Sequence, residues 1–144
     1  MRYLRSSLLA GLVFCVFAPA VVHFLVPDEI VREFAKVFER IEGGEPRSAD
    51  APTNWLHVAM VLALRLGFGF LTMGLYAYWR SGEPRLRAAY KAGVAVFVLT
   101  CVPLLAWFHF GHGLPAPMAM LGFSIGMVET MLAAMVGAWA AGAE

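Results

Sequence analysis

Six residues carry side chains whose chemistry is out of place in their surroundings. Arg65 and Glu129 stand in the middle of long apolar stretches, and His23, His57, His109 and His112 stand near the ends of such stretches. An ionised side chain at the centre of a bilayer costs about 3 kcal/mol or more, so it faces an opposite charge, a backbone carbonyl or water. A pair of this kind can fix helix register, relay a proton or hold the polar head of a ligand. Imidazole suits zinc, copper and haem iron, can hydrogen-bond a quinone or lipid head, and is also tolerated at an interface where its ring reaches water. His109 and His112 are three apart and would share a helical face, but Gly111 and Gly113 interrupt the helix there. There is no His-Glu-x-x-His motif and no other complete catalytic constellation. Cys15 and Cys101 fall inside apolar stretches, without the spacing of a disulfide framework or a zinc site. The residues therefore lean away from an enzyme. No cofactor is required, and a metal, haem or quinone at the histidines is the alternative.

The elements that position these residues follow from composition. Of the 144 residues, 60% are hydrophobic and 15% charged, against about 45–50% and about 25% in soluble domains. The mean hydropathy is +0.71. Crossing a hydrocarbon core of about 30 Å takes about 20 mostly apolar residues. Four stretches qualify, at about 6–26, 55–79, 88–110 and 115–141, which reads as one integral membrane domain over 1–144. The first could be mistaken for a signal peptide, with Arg2 and Arg5 ahead of it and Ala18-Pro19-Ala20 as a cleavage site. Its apolar run continues to Val26, however, and proline is out of place at such a site, so a retained helix is expected.

Charge asymmetry gives the orientation. Arg2, Arg5, Arg80, Arg85, Arg87 and Lys91, with Glu83 and Glu144, put six positive and two negative charges on one side, a net of +4. Arg32, Lys36, Arg40 and Arg47 lie among seven acids (Asp28, Glu29, Glu33, Glu39, Glu42, Glu45 and Asp50) on the other, a net of −3. Arg65 and Glu129 cancel, which recovers the overall +1. Both termini and the connection between spans two and three are therefore expected in the cytoplasm. No basic patch remains to bind nucleic acid.

Between spans one and two, residues 28–42 carry Ile30, Phe34, Val37, Phe38 and Ile41 at helical spacing, with charges on the opposite face. At about 15 residues with eight charges this segment cannot span. It reads as an outer amphipathic helix on the membrane surface or over the end of the bundle, ended by Gly43-Gly44. A polar loop, 45–54, leads to span two, which Thr53 or Asn54 could cap. The short connections 80–87 and 109–117 make consecutive spans neighbours, so the expected architecture is an antiparallel four-helix bundle. Pro103 is expected to kink span three. Gly122 and Gly126 form a small-xxx-small pattern in span four, and Gly67 and Gly69 offer small residues in span two. Both pairs suit close helix packing, within the chain or in a homodimer. Arg65 lies roughly 15 Å and Glu129 roughly 20 Å below the outer ends of their spans, at 1.5 Å per residue. Arginine is long enough to close that difference, so an Arg65–Glu129 ion pair is expected inside the bundle.

Arg65, followed by Gly67-Phe68-Gly69 and Met73-Gly74-Leu75, resembles the pattern of small four-helix bacterial membrane proteins of the DoxX-related families. The resemblance extends to chain length, to the order of four spans and to an acid in span four, matched by Glu129. It implies a bacterial inner-membrane protein of four helices and no particular activity, because those families share none. The stretch Trp107-Phe108-His109-Phe110-Gly111-His112 departs from their pattern, so the resemblance carries no ligand over. The expected role is that of an accessory subunit or stand-alone membrane protein, with lipid, other membrane subunits or a second copy as partners. The alternative is a redox or ligand-binding protein holding a metal, haem, quinone or lipid at its outer face. A reporter that is active only in the cytoplasm should be active when fused after Glu144 and inactive when fused within 45–54; the reverse pattern would invert the topology.

Overall fold

The computed structural model describes residues 2–41 and 55–142. The described chain is helical. Helix α1 runs Arg2–Leu25, α2 Asp28–Ile41, α3 Trp55–Arg80, α4 Arg85–Gly111 and α5 Ala116–Ala141. Helices α1, α3, α4 and α5 are each long and apolar enough to cross a membrane. Helix α1 begins four residues ahead of the apolar stretch, because Arg2–Arg5 need only form backbone hydrogen bonds to extend it. The Gly43-Gly44 stop, the polar 45–54 loop and the Thr53 or Asn54 cap lie outside the described residues.

Helix α1 packs against α3 and α5, and α4 packs against the same two helices, with α3 and α5 also in contact. The two ends of this arrangement are packed differently. Toward the end that carries Arg80, small side chains interlock. Ala10, Ala88, Ala89, Ala92, Ala133, Ala134 and Ala138 are buried around Met73 and Tyr76. A close approach is made between α1 and α3. A Cβ on Gly69 would lie 2.3 Å from the Gly11 nitrogen and 2.4 Å from the Ser7 carbonyl oxygen. Only a residue without a side chain allows these backbones to meet, and close dispersion contact is what drives helix association where the solvent is itself apolar. The connection at this end is tied by Arg80, whose guanidinium donates to the Glu83 carbonyl oxygen at 3.2 Å, and by a Lys91–Glu83 ion pair.

The end that carries α2 is more open. The first ten residues of α3 have no buried member, and Trp55, Leu56, Met60 and Leu64 are well exposed. Here α2 touches the bundle, with Val37 buried and Phe34 and Val37 facing Leu104, Leu105, Phe108 and Leu114 of α4 and the loop after it. Pro103 does not act as a simple break in α4. A π-helical turn at Phe97–Cys101 precedes it, in which the Val102 N–H reaches back to the Phe97 carbonyl. A second π turn, Trp107–Gly111, follows. Proline lacks an N–H and its ring crowds the carbonyl four residues back; widening the preceding turn is one way a helix accommodates it.

Of the glycines singled out by spacing, Gly69 is at the α1–α3 crossing, Gly126 faces Cys101 of α4, and Gly122 faces Leu105. Gly67 differs, with open space where a Cβ would sit, and so contributes nothing to packing within the chain. Gly69→Ala should therefore cost about 1–3 kcal/mol through overpacking. Gly67→Ala should leave stability unchanged or raise it by up to about 1 kcal/mol through helix propensity. Thermal unfolding of both variants in detergent checks this contrast.

Candidate functional site

The sequence of α3 reads Leu64-Arg65-Leu66, so the guanidinium must find acceptors on neighbouring helices. It finds two. One Nη donates to the backbone carbonyl oxygen of Phe14 in α1, and the same nitrogen lies 3.5 Å from Glu129 Oε1 in α5. Three helices are thus joined through one side chain. Pro19 in α1 has no N–H to offer the Cys15 carbonyl, and the carbonyl that Arg65 reaches is the adjacent one, Phe14. The Glu129 side chain is 11% exposed and that of Arg65 is 29% exposed. The Glu129 side chain is thus more enclosed than that of Arg65, part of which still faces open space.

That space is a cavity of about 400 Å³. Ala18 and Val22 of α1, with Val26 just beyond its end, form one wall. Leu104 and Leu105 of α4, with Leu121 and Ile125 of α5, form the others. Val31 and Phe34 of α2 also line it, and Arg65, Glu129 and Cys101 supply its polar groups. Cys101 is delivered by the first π turn of α4, and a Cβ on Gly126 would lie 3.0 Å from its sulfur. An apolar hollow with a few convergent polar groups is the ordinary form of a small-molecule site, and its volume falls within the usual range of about 300–1,000 Å³.

The four histidines are dispersed. His23 packs edge-on against Phe24, with ring centroids 4.7 Å apart. His112 packs against Trp107 at 4.2 Å. His57 is exposed. His109 Nδ1 lies 2.6 Å from the Leu114 carbonyl oxygen. Leu114 is itself buried and donates its N–H to the Phe108 carbonyl. His109 therefore donates through Nδ1 and clasps the turn between α4 and α5. Among the described residues no group of three or more His, Cys, Asp and Glu side chains is placed to hold a metal ion.

Sequence reasoning missed the Phe14 carbonyl, Cys101 as a wall residue, and Val31 beside Phe34 on the covering helix. The Phe14 acceptor is backbone and leaves no mark in residue type. Cys101 could have been flagged by its position two residues before Pro103. No protein-family model, curated protein or solved structure matches this chain.

Breaking a buried pair from one side leaves an uncompensated charge, at a cost of about 3–5 kcal/mol, whereas replacing both partners is far milder. Arg65→Met and Glu129→Gln should each lower stability in detergent, and the double variant should lose less than the sum by about 1 kcal/mol or more. Strict additivity in that cycle would show that the pair is not coupled.

Proposed function

We propose that this chain is a multi-pass inner-membrane protein that holds one amphipathic small molecule, of the lipid or quinone kind, in the cavity between α1, α4 and α5, without acting on it chemically. The observation that carries the reading is the distribution of polarity in that cavity. Its walls are aliphatic, while Arg65 and Glu129 converge on it as a charged pair. An apolar tail suits the walls and a polar head suits the pair. Two charges at membrane depth are hard to explain by packing alone, since a well-packed apolar pair serves that purpose at least as well.

The charge balance of the connections supports an antiparallel bundle with both termini in the cytoplasm and α2 at the outer surface. The amphipathic pattern of α2 suits a helix that lies in the interface with its apolar face turned to the bundle. The resemblance to DoxX-related proteins agrees with this architecture and is silent on activity. A metal or haem at the histidines is less well supported, because His23, His109 and His112 have separate ring or backbone partners.

A second reading is favoured by α3. Its first ten residues lack any buried member and present Trp55, Leu56, Met60 and Leu64 outward. A helix of another membrane subunit against this segment would make the chain an accessory subunit, and the two readings are compatible.

Native mass spectrometry of the gently solubilised protein should show a one-to-one adduct with a lipid-like mass. An absorption spectrum of the same sample separates a quinone or haem from a colourless lipid. Ile125→Trp, which fills the cavity, should remove the adduct while leaving the unfolding temperature within a few degrees. A wild-type protein free of any adduct would overturn the reading.

A further inference from the structure

We infer that the cavity selects an uncharged head group that both donates and accepts a hydrogen bond, as in a single-chain lipid ending in a hydroxyl, and discriminates against fatty-acid or phosphate heads. The inference rests on the reading of the cavity as a ligand site and adds the chemistry of the head. Among the described residues, Arg65, Glu129 and Cys101 are the titratable ones on the cavity wall. The guanidinium and the carboxylate stand 3.5 Å apart, so the pair presents no net charge to a ligand. Arg65 has five N–H donors and no acceptor. One of its nitrogens is occupied by the Phe14 carbonyl and the carboxylate, which leaves donors for a further oxygen. Glu129 accepts and cannot donate while ionised. A hydroxyl fits both, since its oxygen accepts from Arg65 while its hydrogen is given to Glu129. An anionic head satisfies Arg65 but confronts the Glu129 carboxylate across a low-dielectric hollow, where like charges repel far more strongly than in water.

The tail is constrained by the same cavity. Val22, Leu104, Leu121 and Ile125 are aliphatic, and Val31 and Phe34 of α2 supply further apolar contact. A volume of about 400 Å³ sits at the low end of the range for one small ligand, which favours one chain over the paired chains of a bilayer phospholipid.

The test uses two photoactivatable probes of equal chain length, a long-chain alcohol and the corresponding fatty acid, each with a diazirine at mid-chain. Both are presented to the full-length protein in zwitterionic nanodiscs at pH 8, and labelling is mapped by peptide mass spectrometry. In the wild type the alcohol should label the peptides holding Leu104, Leu121 and Ile125 about tenfold more than the acid, a preference of the size that a modest binding difference produces. Glu129→Gln leaves Arg65 without its counter-charge and should reverse the order in favour of the acid. Equal labelling, or a preference for the acid in the wild type, would overturn the head-group inference and leave the cavity as a ligand site. So would an alcohol preference that survives Glu129→Gln unchanged in a monodisperse variant. No labelling of these peptides by either probe would instead overturn the ligand-site reading itself. The wild-type comparison decides the head group even if the variant does not fold.

Discussion

An arginine placed halfway along an apolar helix has to be answered by its neighbours, and much of this structure follows from how Arg65 is answered. Its guanidinium reaches the Phe14 carbonyl on α1 and Glu129 on α5. That requires α1, α3 and α5 to meet at one depth. The meeting is made possible a turn away, where Gly69 lets α3 approach the backbone of α1. Close packing and charge satisfaction thus reinforce each other, because the glycine crossing brings the acceptors near and the arginine penalises any slip of register. What the pair does not close is the space beside it, and that space is the cavity.

Several of these features can be read from the residues alone, for definite physical reasons. A charge among leucines is conspicuous because hydrocarbon tolerates it so poorly, and counting residues from the helix ends is enough to set Arg65 and Glu129 at similar depth. The four apolar helices are equally conspicuous, since length and hydropathy are properties of the chain and not of its packing. The amphipathic spacing of Ile30, Phe34 and Val37 marks α2 in the same way.

Other features are invisible for equally definite reasons. The Phe14 carbonyl belongs to the backbone, so no residue type announces it. Small-residue spacing says that a helix can be approached but not by what: Gly126 meets a cysteine sulfur, Gly122 a leucine, and Gly67 meets nothing. Histidines look alike in sequence whether they ligate, stack or clasp a turn. The role of His109 depends on the Leu114 carbonyl, five residues on, turning back toward it, which is a property of the loop conformation. Pro103 predicts that something must give, but whether the helix bends or widens depends on the fit between α4 and its neighbours.

The unequal packing of the two ends has a mechanical consequence. Alanines and glycines that bring backbones together leave no rotamers to exchange and little volume to yield, so the Arg80 end can only move as a block. The end with α2 is filled by leucines, valines and phenylalanines on a helix interrupted by two π turns, and such side chains can re-settle without disturbing the crossing at Gly69. The chain is therefore tightly packed by small residues at one end and more openly packed at the other, with the charged pair between them. Rearrangement of side chains at the open end would therefore be local, leaving the glycine crossing between α1 and α3 in place.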